Sequence, residues 1–128
     1  MNREPMRSPL GQALGLGSAM NGLEHWWLQR VTAIALVPLT VWFAASLIAH
    51  AGNDDATFIV WLRTPTATIL MVLLLIALFY HTALGLQVVI EDYVHSGMKI
   101  PALLCVRFGC FALAVAGILA TMRIAFGA

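Results

Sequence analysis

Charge is scarce in this chain. Lys, Arg, Asp and Glu together make up 10% of its 128 residues, while hydrophobic residues make up 61%. A soluble domain is nearer half apolar and about a quarter charged. So small a domain cannot hide that much apolar surface from water, because surface-to-volume scaling works against it. The few cations form no cluster and the net charge is +1, which argues against a nucleic-acid partner. Cysteine is limited to Cys105 and Cys110. Five residues apart, they point about 140° from one another on a helix, so free thiols are expected rather than a disulfide. The first 24 residues, "MNREPMRSPLGQALGLGSAMNGLE", lack the apolar core of a signal peptide. "GQALG" fits a small-residue contact motif but stands outside any apolar span and carries no weight. Internal repeats and low-complexity tracts are also missing.

What is present is three apolar runs. "VTAIALVPLTVWFAASLIAH", Val31 to His50, holds no formal charge over twenty residues. At about 1.5 Å per residue it spans about 30 Å, the thickness of a hydrocarbon core. Pro38 inside it predicts a mild kink. A loop with Asn53, Asp54 and Asp55 follows, and its "FIVWL" suits the interface beside Trp61 and Arg63. The second run crosses from Thr64 to Ile90 and the third from Pro101 to about Phe126. Arg107 and Arg123, near the ends of the third, are expected to snorkel to the interfaces. Ala112, Ala116 and Ala120 form a row of small residues that suits close helix contact, or reflects simple alanine richness in a membrane helix. The expected fold is therefore all-α and integral to the membrane. It comprises an N-terminal arm over residues 1–24 and a three-helix domain over 25–128, with helices near 28–50, 64–93 and 100–126. With the N-terminus inside, Arg3, Arg7, Arg30, Lys99 and Arg107 fall on the inner face, against Arg63 and Arg123 outside. The positive-inside rule thus predicts a cytoplasmic N-terminus and an outward C-terminus.

One stretch, "HTALGLQVVIEDY", carries the chemistry. His81 lies eleven residues, about 16 Å, from the inner end of the second helix, near mid-bilayer. An ionisable group at that depth is costly and normally faces a bundle interior or cavity. Three readings stand: a neutral histidine bonded to a neighbouring helix, a metal or haem ligand, and a proton relay. Helical phase puts Gly85, Val88 and Asp92 within about 40° of His81, so the four share a face. A glycine one turn from a ligating histidine leaves room for a flat ligand against the backbone. His25, His50 and His95 do not share the depth of His81, so a haem bound there needs a second axial histidine from another subunit.

The helix ends on two acids and Tyr93, although acids are unfavourable at a helix C-terminus. Rules broken locally often mark a functional site. Tyr93 reads either as an ordinary interfacial aromatic or as a donor to a carbonyl ligand, with Asp92 beside it and Arg30 at the same level. Arg30 opens the first apolar run in "LEHWWLQRVTAIAL" after the interfacial anchors Trp26 and Trp27. Its guanidinium suits bidentate bonding to a cofactor carboxylate, or to lipid phosphate.

"QRVTAIAL" opening the first helix, with His-x10-Asp-Tyr spanning the second, resembles the hydrophobic membrane anchor subunits of succinate dehydrogenase, respiratory complex II. The resemblance covers roughly residues 23–126. It implies that His81 is an axial ligand of haem b iron, shared with a cytochrome b556 subunit. By the same resemblance Arg30 lies near the haem propionates and quinone pocket, and His25 near the propionates, although its local spacing departs from the family pattern. Tyr93 and its neighbour Asp92 match the ubiquinone-binding pair. The implied partners are the cytochrome, iron–sulfur and flavoprotein subunits, in a heterotetramer that assembles further into a trimer. By the same resemblance succinate oxidation belongs to the partners, and the lack of an Arg/Ser-rich, acid-poor leader before the first helix favours the bacterial inner membrane over a mitochondrial one. The competing expectation is a small proton- or solute-conducting protein with His81 as relay, although further intramembrane acids are lacking. A third is a purely structural anchor.

Overall fold

In hydrocarbon no water satisfies a free backbone amide, so an apolar chain closes its hydrogen bonds within helices. The computed structural model describes residues 17–94 and 97–127, with side chains from residue 23 onward. Helix α1 runs Gly17–Ala49, α2 Asp55–Leu62, α3 Pro65–Tyr93 and α4 Lys99–Ala125. No strand occurs among the described residues. Leu23–Ala49 of α1, together with α3 and α4, is long and apolar enough to cross a membrane. The fold is all-α with three membrane-crossing helices.

The ends of α3 and α4 fall where the apolar runs stop, but two features differ from expectation. α1 starts at Gly17 rather than near residue 28, because Ala19, Met20, Leu23 and Glu24 favour helix and no proline intervenes before Pro38. As expected, the helix contains Pro38 in its interior. The segment read as an interfacial loop forms the short helix α2. Gly52, at φ +86°, turns the chain out of α1. Asp54 then caps α2 by accepting from the Thr57 amide at 3.1 Å and from the Thr57 hydroxyl. These bonds, the side-chain one foremost, hold the Asp54 carboxyl below its ordinary value of 3.8.

α3 is the central element, packed against α1 on one side and α4 on the other. Accordingly it holds three of the buried residues, Ala67, Leu74 and Leu84. α2 lies across one end, touching α3 and α4. There the Trp61 ring stacks 5.8 Å from Trp42 and 4.7 Å from His50. Arg63 Nε donates to the Ile124 carbonyl at 2.9 Å, fastening α2 to the end of α4.

The α3–α4 contact narrows two of the earlier readings. The row of Ala112, Ala116 and Ala120 is exposed, and the close approach is made at Gly117, where a Cβ would meet both Leu75 methyls at 3.2 Å. Arg107 does not simply reach for the interface. Its Nη2 donates to Gln87 Oε1 at 3.1 Å, and Gln87 Nε2 donates to Glu91 Oε1 at 3.0 Å. An amide thereby links a cation on α4 to an acid on α3. One of the two acids ending α3 is thus explained by packing. Cys105 and Cys110 are free thiols, as expected.

Candidate functional site

His81 sits on α3 about three turns before its end and is half-buried against α1. Thr32 of α1 faces it, with Thr32 Oγ1 2.9 Å from His81 Nδ1. The same hydroxyl lies 2.7 Å from the Leu28 carbonyl and 3.1 Å from that of Gln29. This contact sets the register of the two antiparallel helices. Four residues beyond His81, a Cβ on Gly85 would stand 3.9 Å from Gln29 Nε2, three residues before Thr32.

On this face the helices form an open cavity of about 500 Å³, lined by His25, Trp26, Gln29, Arg30, His81 and Val88 among others. Three of the side chains singled out in the sequence, His81, Arg30 and His25, therefore meet at one site. His25 was not expected to share a level with His81. It lies seven residues from Thr32, about 10 Å along the axis, yet it lines the same cavity. His25 Nε2 is buried without a hydrogen-bond partner, which is costly unless a ligand supplies one. The Arg30 guanidinium carbon stands 5.3 Å from the centre of the Trp26 ring, a cation–π contact that holds the charge beside the cavity. The cavity thus offers an imidazole nitrogen at one level and polar, partly cationic groups toward one end. That arrangement suits a flat amphipathic ligand with an anionic edge.

Tyr93 and Asp92 stand apart from this cavity. Both are exposed, Tyr93 by 79%, at the last turn of α3. No ion pair joins Asp92 to Arg30 among the described residues. Of the shared face read from helical phase, His81 and Val88 line the cavity and Gly85 lies against Gln29. His50 is engaged elsewhere: its Nδ1–H donates to the Ser46 carbonyl at 2.9 Å, inside the aromatic cluster at the α2 end. His95 lies outside the described residues. Among the described residues no three His, Cys, Asp or Glu side chains gather as a metal cluster.

Thr32 and Gln29 were not singled out in the sequence. Thr32 bonds back to the carbonyl four residues earlier, as Thr40 and Thr82 also do, so nothing local marks it. A second recess, about 540 Å³ between α3 and α4, is apolar apart from Tyr80, Gln87 and Arg107.

The description "succinate dehydrogenase/fumarate reductase transmembrane subunit" belongs to a family model that matches residues 4–122. The succinate dehydrogenase hydrophobic membrane anchor subunit of Rickettsia bellii is 42% identical over 89 residues, covering 69% of this chain and 70% of its own length. That of Rickettsia conorii is 31% identical over 116 residues, 89% of this chain and 92% of its own. That of Paracoccus denitrificans is 30% identical over 122 residues, 94% of each. No solved structure matches the chain significantly. Three apolar helices and bacterial relatives of this kind make it a multi-pass protein of the bacterial inner membrane. Matched over nearly its whole length, the chain belongs to the succinate dehydrogenase/fumarate reductase transmembrane subunit family, as a membrane anchor subunit.

Proposed function

We propose that this chain anchors a succinate:ubiquinone oxidoreductase, holds one side of a haem b and forms part of the ubiquinone site. The observation that carries the reading is the single cavity shared by His81, Arg30 and His25, with His25 Nε2 buried and unpartnered. Its volume, about 500 Å³, is in the range of cofactor sites. His81 would hold the haem iron through Nε2, and Arg30 and His25 would take the propionates. With His25 assigned to the propionates, a second histidine for the iron would come from the cytochrome b556 subunit. When bound, the haem supplies a one-electron store beside the quinone.

Tyr93 serves the quinone. Its exposed hydroxyl donates to a ubiquinone carbonyl, whose oxygen gains negative charge on reduction and so binds the donor more tightly. Asp92, beside it on the last turn, orients that hydroxyl and the water around it. Electrons arrive from the flavoprotein through the iron–sulfur subunit, and the four subunits form a heterotetramer that associates into trimers. Residues 25–128 form the anchor domain, with the N-terminus inside and the C-terminus outside; residues 1–16 of the expected cytoplasmic arm lie outside the described residues.

The test is the complex purified through this chain. It should show a reduced b-type haem band that His81→Ala abolishes. Tyr93→Phe should lower quinone reduction about 10- to 150-fold, as a hydrogen bond to developing charge worth ~1.5–3 kcal/mol implies, while succinate oxidation with a soluble dye persists. A haem band that survives His81→Ala, or equal loss of both activities in Tyr93→Phe, refutes the assignment. A colourless preparation without flavoprotein would favour the proton relay.

A further inference from the structure

A threonine hydroxyl has one proton to give and two lone pairs to receive. At Thr32 the proton is claimed. The Leu28 carbonyl is 2.7 Å away and the Gln29 carbonyl 3.1 Å, and a carbonyl oxygen only accepts. The 2.9 Å contact with His81 Nδ1 must therefore use a lone pair of the hydroxyl, and the ring nitrogen brings the proton. A neutral imidazole carries one N–H, so a proton on Nδ1 leaves Nε2 with its lone pair. Nε2 has no hydrogen-bond partner among the described residues, and His81 lines the cavity. The opposite tautomer would turn the Thr32 proton away from its 2.7 Å acceptor and aim an N–H from Nε2 instead of a lone pair.

We propose that Thr32 is a positioning residue for His81. Its hydroxyl, itself anchored to the α1 backbone, holds the proton on Nδ1, fixes the ring plane and presents the Nε2 lone pair as a ligand. The consequence for iron rests on the haem reading above; the tautomer does not. A bond accepted from Nδ1–H raises the donor strength of Nε2, which favours ferric over ferrous iron and lowers the haem potential.

Two substitutions separate the hydroxyl from its methyl. Thr32→Val keeps the shape and removes the acceptor, whereas Thr32→Ser keeps the hydroxyl. The first readout needs no haem: nitrogen-15 NMR of the histidine-labelled full chain in lipid bilayers, with the His81 signals identified by their loss in His81→Ala. Wild type and Thr32→Ser should show the Nδ1–H tautomer, and Thr32→Val should shift toward Nε2–H. An unchanged tautomer in Thr32→Val overturns the proposal. The second readout is the purified complex. Thr32→Val should raise the haem midpoint potential, by about 59 mV for each tenfold loss of ferric preference, and weaken haem retention about 10- to 100-fold. Thr32→Ser should do neither. An unmoved potential in Thr32→Val, or an equal shift in Thr32→Ser, reduces Thr32 to a packing residue and overturns the proposal. If the complex holds no haem while NMR shows the Thr32-dependent tautomer, the haem reading falls and the positioning of the ring stands.

Discussion

Gly117 offers a direct test of how α3 and α4 are held together. A Cβ there would lie 3.2 Å from both methyl carbons of Leu75 and 3.7 Å from its Cγ. Aliphatic carbons pack best about 3.5–4.0 Å apart, so even one methyl intrudes by roughly 0.3 Å. Both branches of Leu75 are struck together, so turning one away does not clear the other. Gly117→Ala sets this crowding against about 1 kcal/mol of helix propensity, and its net effect should be near zero. Gly117→Leu drives three more carbons into the same gap and should cost about 1–3 kcal/mol of overpacking. Gly109, two turns earlier on α4, is the internal control, because nothing lies within 4 Å of a Cβ there. Gly109→Leu receives the same propensity gain without the clash. The two leucine variants should therefore differ by about 1–3 kcal/mol, with the 117 variant the weaker. The assay is reversible unfolding of the full chain in mixed micelles, followed by helicity as the denaturing detergent fraction rises. Equal stability of the two would refute the packing argument.

Three further predictions follow from the ends and flanks of the bundle. Removing Arg107 should destabilise the α3–α4 pair by ~1 kcal/mol or more, and a double-mutant cycle of Arg107→Met with Gln87→Leu should show coupling of about 1–3 kcal/mol, because a charged donor is involved. Asp54→Ala should fray α2, seen as faster amide exchange over residues 55–62. The folded-state pKa of Asp54 is depressed, so its cap contributes fully above the ordinary value of 3.8 and is lost as pH falls through the lower folded value; the exchange rates should rise only there. With Cys105 and Cys110 replaced by alanine, Asn53→Cys should react with a membrane-impermeant maleimide added from the periplasmic side, and labelling only from the cytoplasmic side would reverse the topology.

Much of the fold was legible in advance because the bilayer imposes a length. The second and third runs end within two residues of the expected limits, since Thr64 and Pro65 begin α3 and the acids end it. The α2 helix was less legible: eight residues are too few for a periodic signal, and its Asp54 cap first read as a loop breaker. The α3–α4 contact was hidden for a different reason. On an apolar helix every face looks alike, and only the neighbour decides that Gly117 rather than Ala116 takes the contact. At the candidate site His81 stood out because a titratable ring in hydrocarbon is costly. Thr32 did not, because its partner lies 49 residues away and its own bond to Leu28 is an ordinary one.

The sequence by itself determined the solvent and the number of crossings, because both follow from counting apolar residues against a fixed thickness. Helical phase also put Gly85 and Val88 on the face of His81, whereas Asp92, placed there too, stands apart from the cavity. Only the tertiary structure decided what that face meets. It put Thr32 on His81 Nδ1, brought His25 and Arg30 to the same cavity, and left Tyr93 and Asp92 exposed beyond it. The physical reason is that rotation and register of one apolar helix against another are set by side-chain shape and single hydrogen bonds across the contact, and neither term is written in the hydropathy of either helix alone.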